Sequence, residues 1–138
     1  MDKEFEILEH TADIGIIAYG GNINAAFVNA AKGMFSLITE PDDVEEVESR
    51  DVDIEAADSE SLLVAWLNEL IFLFDAENML FKRFDIIRIT GTYLKAAAFG
   101  EKVDMTRHDI KMGIKAATWH MLKIEKSNGI RAQVLFDI

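Results

Sequence analysis

The segment that begins near Asp58 or Ser59 and continues to about Asp75 constrains the fold most strongly, because its apolar residues cover most of the circumference of the helix that their spacing predicts. A helix that is apolar on nearly all sides is buried against other elements, so we expect it to be the central helix of the protein. Two polar residues, Asn68 and Glu69, interrupt this surface and are predicted to mark its solvent side, although a Glu near the core edge can also point toward a site. The apolar residues are Leu62, Leu63, Trp66, Leu67, Leu70, Ile71, Leu73 and Phe74.

The rest of the chain follows the patterns of a single α+β domain. A first helix is predicted from Asn22, a good N-cap residue, to Ile38, shortly before Pro41. Alternating polar and apolar residues predict strands at Glu4 to Glu9, Ile14 to Tyr19, Arg50 to Ala56, Phe81 to Thr90 and Tyr93 to Val103. The order strand, helix, strand, strand appears twice, and we expect two main helices packed on mostly antiparallel sheets.

The last quarter of the chain predicts a hairpin. Two segments, Ile114 to Ile124 and Ile130 to Phe136, lie on either side of a predicted three-residue loop, Ser127-Asn128-Gly129. Gly129 can adopt the left-handed conformation that such a loop requires. The register that this loop implies pairs Lys126 with Ile130, Glu125 with Arg131, Ile124 with Ala132 and Leu122 with Val134. His120 is then predicted to be a half-buried histidine on the apolar side rather than a metal ligand.

The net charge of −11 is unevenly distributed. Residues 1–69 contain 17 acidic and 3 basic residues, and residues 70–138 contain 8 acidic and 11 basic residues. An anionic surface repels phosphate backbones, so we expect no DNA partner. A local basic patch of Lys102, Arg107, Lys111 and Lys115 lacks interleaved aromatic residues, and we interpret it as a solvated basic face. The acidic connector from Asp42 to Glu48 is interpreted as solvated too.

Composition excludes several classes of site. The chain has no cysteine, which excludes disulfides, thiolate zinc sites and a cysteine nucleophile. Its 138 residues are enough for one domain with a full core. The first residues do not resemble a signal peptide, and no apolar run approaches the length of a membrane span. We expect a soluble, cytoplasmic protein with no membrane partner.

One short stretch, His10-Thr11-Ala12-Asp13-Ile14-Gly15, brings a histidine and a carboxylate between two predicted strands. Asp is common in turns, where it accepts backbone N–H groups, so a turn-forming Asp13 is the simplest interpretation of this residue alone. Its expected partner is the end of the chain, Phe136-Asp137-Ile138, where Asp137 could equally end a strand in water.

Taken together, five segments resemble the archease family over essentially the whole chain. Each segment alone is a weak signal, but their order and spacing are specific. They are His10 to Gly15, Trp66-Leu67-Asn68-Glu69-Leu70, Gly100-Glu101 with Asp104 and His108 downstream, Ile114 to His120, and Phe136-Asp137-Ile138. Two departures are Trp119, where an aromatic such as Tyr is usual, and the segment from Met105 to Gly113, which is only loosely similar.

The resemblance implies an accessory protein rather than an enzyme, with one strand-helix-strand-strand module inserted in another. Archeases assist the RtcB-type RNA ligase, which joins RNA ends carrying a 3′-phosphate or 2′,3′-cyclic phosphate in tRNA splicing. They promote guanylylation of the ligase, allow multiple turnover and broaden the nucleotides that it accepts. The implied partner is therefore this ligase, and any contact with tRNA or GTP is expected to be indirect.

The resemblance also implies the site residues. Carried over position by position, the metal site falls on Asp13, Asp137 and the C-terminal Ile138, Lys115 matches a position needed for activation, and Glu69 and His108 match further family positions. All-oxygen ligands favour Ca²⁺, Mn²⁺ or Mg²⁺ over zinc. Two carboxylates about 4 Å apart repel by roughly 4 kcal/mol at an effective dielectric constant of 20, so they converge only around a cation or a shared proton.

Two other functions stay open on the sequence. A stand-alone metal-dependent phosphohydrolase would use Asp13, His108 and Asp137 around a metal-bound water, and the lack of a glycine-rich phosphate loop counts against it. An RNA-binding or chaperone module would use the region from Lys102 to Lys115, and the net charge of −11 argues against it.

Overall fold

A computed structural model describes residues 3–9 and 13–138 of the protein. The strands are β1 (Phe5–Glu9), β2 (Ile14–Gly20), β3 (Glu48–Glu55), β4 (Met79–Ile89), β5 (Tyr93–Lys102), β6 (Ala116–Ala117), β7 (Lys123–Lys126) and β8 (Ile130–Asp137). The helices are α1 (Ile23–Ile38), α2 (Ser59–Glu77) and a short 3-10 helix, Pro41–Asp43. His10, Thr11 and Ala12 of the predicted N-terminal motif lie outside the described residues.

The strands form two antiparallel sheets. In the first sheet the order is β1, β2, β8, β6, and β7 also pairs with β8. In the second sheet β5 lies between β3 and β4. The segment that contains β3, α2, β4 and β5 is inserted in sequence between α1 and the strands that complete the first sheet. The predicted α+β class with two helices and antiparallel sheets is confirmed.

Both helices begin at the predicted caps. The Asn22 side chain accepts a hydrogen bond from the Ala25 N–H, and the Asp58 side chain accepts one from the Ser61 N–H, each at 2.8 Å. Such side chains satisfy N–H groups that have no partner within the first turn of a helix. The described part of the chain contains no helix that is long and apolar enough to cross a membrane.

The two helices and both sheets share one hydrophobic core. Trp66 of α2 is fully buried, and its indole N–H donates to the Phe27 carbonyl of α1 at 2.9 Å. The Phe35 ring of α1 packs edge-on against Phe81 of β4, with centroids 5.6 Å apart. Phe136 of β8 belongs to the same buried cluster. The inserted segment therefore packs as part of the same core as the first sheet.

The predicted C-terminal hairpin is correct near its loop and wrong further away. The pairs of Lys126 with Ile130, Glu125 with Arg131 and Ile124 with Ala132 are observed. Pairing of β7 ends at Lys123, and β6 pairs with β8 in a different register, with Ala117 facing Phe136. The expected pair of Leu122 with Val134 is therefore absent from this part of the structure, and the predicted strand from Ile114 to Ile124 is two short strands.

Residues 118–122 account for the change of register. Met121 has a positive φ of 55°, and its carbonyl accepts a hydrogen bond from the Gln133 side chain at 2.9 Å. The Leu122 N–H donates to the Trp119 carbonyl, which closes a turn instead of a ladder. An extra loop inside a strand turns side chains away from their expected faces. His120 is accordingly exposed, so its predicted half-burial is wrong.

Candidate functional site

The C-terminal end of β8 lies beside the start of β2. Ile14 faces Phe136 in the register of these strands, so Asp13 and Asp137 follow next to each other one residue further along. Facing residues of antiparallel strands have Cα atoms about 4.5–5.5 Å apart, which is close enough for two carboxylates to contact one cation. The structure thus brings Asp13 and Asp137 together at one end of the first sheet.

The other neighbour of β8 contributes Lys115. Ala116 faces Asp137 in the β6–β8 pairing, and the Lys115 N–H donates to the Asp137 carbonyl at 2.8 Å. Asp137 and Lys115 are exposed, Asp13 is half-buried, and Ile138 is 59% exposed at the chain end. The Lys115 backbone, both aspartates and the terminal carboxylate therefore meet at one solvent-accessible edge, which we call the C-terminal edge.

The donor chemistry of the C-terminal edge fits a hard divalent cation. Asp13 and Asp137 offer carboxylate oxygens, and Ile138 adds the terminal carboxylate. Within residues 3–9 and 13–138 no three His, Asp or Glu side chains lie close enough together to hold a metal ion. The terminal carboxylate is a third oxygen donor at this edge, and oxygen ligands of this kind suit Ca²⁺, Mg²⁺ or Mn²⁺.

Lys115 differs from the other basic residues of its region. The Lys102 ammonium donates to the Glu77 carbonyl at 3.2 Å, Arg107 pairs with Glu101, and the Lys111 ammonium lies 3.7 Å from a Glu40 carboxylate oxygen. All four cations are exposed, as predicted for a solvated face, but three of them also have protein partners. Among the described residues the Lys115 ammonium has no ion-pair or hydrogen-bond partner, so its charge is available to a ligand.

The Asn68 side chain of α2 faces the first sheet rather than open solvent. The Asn68 side chain accepts a hydrogen bond from the Ala117 N–H at 2.8 Å and donates to the Ala117 carbonyl at 3.4 Å. The prediction that Asn68 marks the solvent side of the helix is therefore wrong, and Glu69 beside it is half-buried. The sequence signal was an amide within an apolar helix, which needs a partner when it is buried.

His108 lies away from the solvent, in a separate polar cluster with Glu101 and Arg107. Its Nδ1 accepts a hydrogen bond from the Asp104 N–H at 2.9 Å, so the ring proton is on Nε2. Nε2 lies 3.0 Å from both a Glu101 carboxylate oxygen and the Asp43 carbonyl. Both ring nitrogens are therefore engaged with protein groups in this structure.

Glu101 is the centre of this cluster. Its carboxylate accepts hydrogen bonds from the Arg107 guanidinium at 2.5 Å and from the Glu45 N–H at 2.8 Å, in addition to the contact with His108. Burial on its own would raise the pKa of the Glu101 carboxyl, but these donors outweigh that effect and lower the pKa below its usual value of 4.5. The cluster joins the end of β5 and the segment after it to residues 43–45.

The C-terminal edge is open rather than enclosed. Two surface clefts, of about 510 and 550 Å³, lie in the part of the chain that the structure describes. Neither cleft is lined by Asp137, Ile138 or Lys115. Enzyme sites for small substrates are usually concave and bury most of the ligand.

Comparisons with known proteins cover nearly the whole chain. Residues 5–138 match the profile of the Archease protein family. The chain is 42% identical to Protein archease of Methanosarcina mazei over an alignment of 141 positions, which covers 99% of this chain and 97% of the relative. It is 44% identical to Protein archease of Pyrococcus abyssi, with 99% of each chain covered.

Solved structures agree with this. The chain is similar to the solution structure of protein 1598 from Methanobacterium thermoautotrophicum, with 38% identity, a TM-score of 0.85 and coverage of 98% of this chain and 99% of that one. It also resembles a crystal structure from Thermotoga maritima, described as "an archease, possible chaperone", with 21% identity, a TM-score of 0.64 and coverage of 100% and 98%. The second likeness supports the fold alone.

Proposed function

Because this chain belongs to the archease family, we propose that it is an accessory protein that binds a divalent cation and activates an RtcB-type RNA ligase. In this proposal it acts in the cytoplasm during tRNA splicing. It promotes guanylylation of the ligase, allows the ligase to turn over repeatedly and broadens the nucleotides that the ligase accepts. The ligase is its direct partner, and contact with tRNA or GTP is indirect.

The observation that supports the proposal is that two aspartates, the chain end and the backbone of Lys115 share the C-terminal edge. Asp13 and Asp137 adjoin the chain end, and the Lys115 backbone is hydrogen-bonded to Asp137. Three carboxylates would repel one another without a counter-charge, so a bound cation stabilises their approach. The three residues that would hold Ca²⁺, Mn²⁺ or Mg²⁺ are therefore Asp13, Asp137 and Ile138.

Lys115 has a separate role in the proposal. Its ammonium is exposed and has no partner within the described residues, so it can approach a phosphate of the nucleotide held by the ligase. A bound cation supplies further positive charge and polarises phosphate oxygens. Glu69, which follows Asn68 on α2 and is half-buried, is a candidate for shaping this edge. His108 acts at a distance, by holding the segment after β5.

An accessory role agrees better with these features than the two alternatives. A phosphohydrolase that uses His108 as a ligand would require the ring to give up a hydrogen bond to Asp104 or Glu101. An RNA-binding module would require a free basic surface, whereas three of the four cations between Lys102 and Lys115 have protein partners. No observation favours either function over ligase activation.

The direct test is multiple-turnover RNA ligation by a limiting amount of a cognate RtcB-type ligase with GTP and Mn²⁺. The comparison includes no addition, the wild type, Asp137→Asn and Lys115→Gln. Matched controls are Asp51→Asn and Lys95→Gln, which change exposed residues of the second sheet. We expect stimulation by the wild type and both controls, and little stimulation by the two C-terminal-edge variants.

The outcomes separate the parts of the proposal. No stimulation by the wild type would contradict the accessory role. Stimulation by Asp137→Asn equal to that of the wild type would keep the role and contradict the metal assignment. Equal stimulation by Lys115→Gln would contradict the phosphate contact alone.

A further inference from the structure

The strand next to Lys115 is held weakly by the sheet itself. β6 contains only Ala116 and Ala117 and lies at the edge of the first sheet. Irregular segments precede and follow it. Two backbone hydrogen bonds join the residues on either side of β6 to carbonyl groups of β8. The Lys115 N–H donates one at 2.8 Å, and the Thr118 N–H donates the other at 2.9 Å. A two-residue edge strand is far shorter than a typical strand, so additional contacts are needed to fix its position.

Asn68 supplies that additional contact on the other side of β6. Its side-chain oxygen accepts from the Ala117 N–H, and its side-chain nitrogen donates to the Ala117 carbonyl. A primary amide carries the same donor and acceptor pair as a peptide group, so Asn68 takes the place of a neighbouring strand for one residue. It thereby covers backbone groups that an edge strand would otherwise leave without partners.

The helix that carries Asn68 is a rigid support. The neighbouring residues Trp66, Leu67 and Leu70 are fully buried in the core. A displacement of Asn68 would therefore disturb close-packed side chains. Asn68 thus ties the backbone of β6 to a helix that is firmly packed in the core.

We propose that Asn68 is a positioning residue for the C-terminal edge: by holding Ala117 it fixes β6, and with it Lys115, next to Asp137 and the chain end. The expected effect of Asn68 on ligation rests on the proposed function. Its expected effect on β6 rests on the hydrogen bonds alone. Asn68 touches neither the cation nor the phosphate in this scheme, and its amide binds the backbone of Ala117.

The chain offers a matched control for this residue. Asn29 of α1 donates from its side chain to the Tyr19 carbonyl of β2 at 2.7 Å, at the opposite end of the first sheet. Asn29→Leu removes a helix-to-strand amide bond of the same kind without touching β6. Asn68→Leu removes both bonds to Ala117, and Asn68→Asp keeps an acceptor for the Ala117 N–H.

The first measurement is amide hydrogen exchange by NMR. We expect the Ala117 N–H to exchange roughly tenfold faster in Asn68→Leu than in the wild type, because one hydrogen bond is lost from a local opening reaction. Asn68→Asp should retain part of the protection, and Asn29→Leu should leave Ala117 unchanged. If Ala117 exchanges at the same rate in Asn68→Leu and Asn29→Leu, the inference is wrong.

The second measurement is Ca²⁺ binding by calorimetry, together with the ligation assay. We expect Asn68→Leu to weaken Ca²⁺ binding about tenfold, as residues that orient metal ligands commonly do, and to lower stimulation by a similar factor. Asn29→Leu should lower Ca²⁺ binding and stimulation of the ligase no more than its effect on stability explains. Faster exchange at Ala117 with unchanged Ca²⁺ affinity and stimulation would overturn the positioning role. Failure of the wild type to stimulate the ligase would instead overturn the proposed function. The measurements of amide hydrogen exchange and of Ca²⁺ binding would still decide the role of Asn68.

Discussion

Replacement of Glu101 is expected to be among the most destabilising changes outside the apolar core. The carboxylate is 7% exposed and accepts hydrogen bonds from Arg107, from the Glu45 N–H and from His108. In Glu101→Leu the Glu45 N–H loses its acceptor, while His108 keeps the Asp43 carbonyl. A hydrogen bond to a charged group contributes about 1.5–3 kcal/mol, so we expect a total loss of about 2–4 kcal/mol in the free energy of unfolding.

Glu101→Gln should cost less than half as much as Glu101→Leu. The amide oxygen of Gln can still accept from the Glu45 N–H and from His108. The bond that it gives up is the ion pair with Arg107, whose side chain is 43% exposed and can turn toward water. The difference between the two variants therefore isolates the buried acceptor from the partly exposed ion pair.

The assay is equilibrium unfolding in guanidinium chloride, with thermal unfolding as a check. A loss of about 3 kcal/mol corresponds to a fall in Tm of roughly 10 °C for a chain of this size. The matched control is Glu125→Gln, which removes an ion pair with Arg131 between exposed side chains and should change stability by less than about 1 kcal/mol. Equal losses in Glu101→Leu and Glu101→Gln, or a loss in Glu101→Leu no larger than in the control, would refute the reasoning.

Three further predictions follow from other contacts. Since the pKa of Glu101 is lowered, its contribution to stability is present above pH 4.5 and is lost as the pH falls below it, so Tm should fall less steeply in acid for Glu101→Gln. Gly100→Ala should destabilise the protein by more than about 3 kcal/mol in urea unfolding, because its Cβ would lie 1.8 Å from the Leu80 carbonyl oxygen. Ca²⁺ at about 100 times its Kd should stabilise the wild type by about 2.7 kcal/mol and leave the Tm of Asp137→Asn unchanged.

The parts of the fold that the sequence predicted are those with local signals. Asn22 and Asp58 cap helices through N–H groups three residues away, so their role can be recognised without tertiary information. The Ser127 to Gly129 loop set the correct register for the nearest pairs of the hairpin, since a loop of given length and glycine position fixes its own geometry.

The errors arose where a distant partner decides the structure. The segment from Ile114 to Ile124 has the composition of one strand, and nothing local shows that the Gln133 side chain binds the Met121 carbonyl and holds a turn there. Nothing local showed that Arg107 pairs with Glu101, because Glu101 is contributed by β5. Asn68 looked solvent-facing because Ala117 lies 49 residues away.

The candidate site was anticipated in part for a physical reason. Asp13 and Asp137 adjoin strand ends, and antiparallel pairing of β2 with β8 brings those ends together once the register is set. Sequence patterns alone did not order the strands, so the pairing of β6 with the end of β8, and thus the neighbourhood of Lys115, came from the structure and from the family resemblance.

The inserted segment supports the C-terminal edge as well as the core. Its helix α2 contacts the surrounding module through Trp66, which binds the Phe27 carbonyl, through Asn68, which binds Ala117, and through Glu60, which accepts from the Ile124 N–H at 3.3 Å. The first contact fixes α2 against α1, and the other two fix β6 and β7 against α2. This explains why an otherwise apolar helix carries an amide at position 68: it faces the backbone of a short edge strand, where an apolar residue would leave an N–H and a carbonyl without partners. The short strand β6, which directly follows Lys115, is therefore held by a helix of the inserted segment.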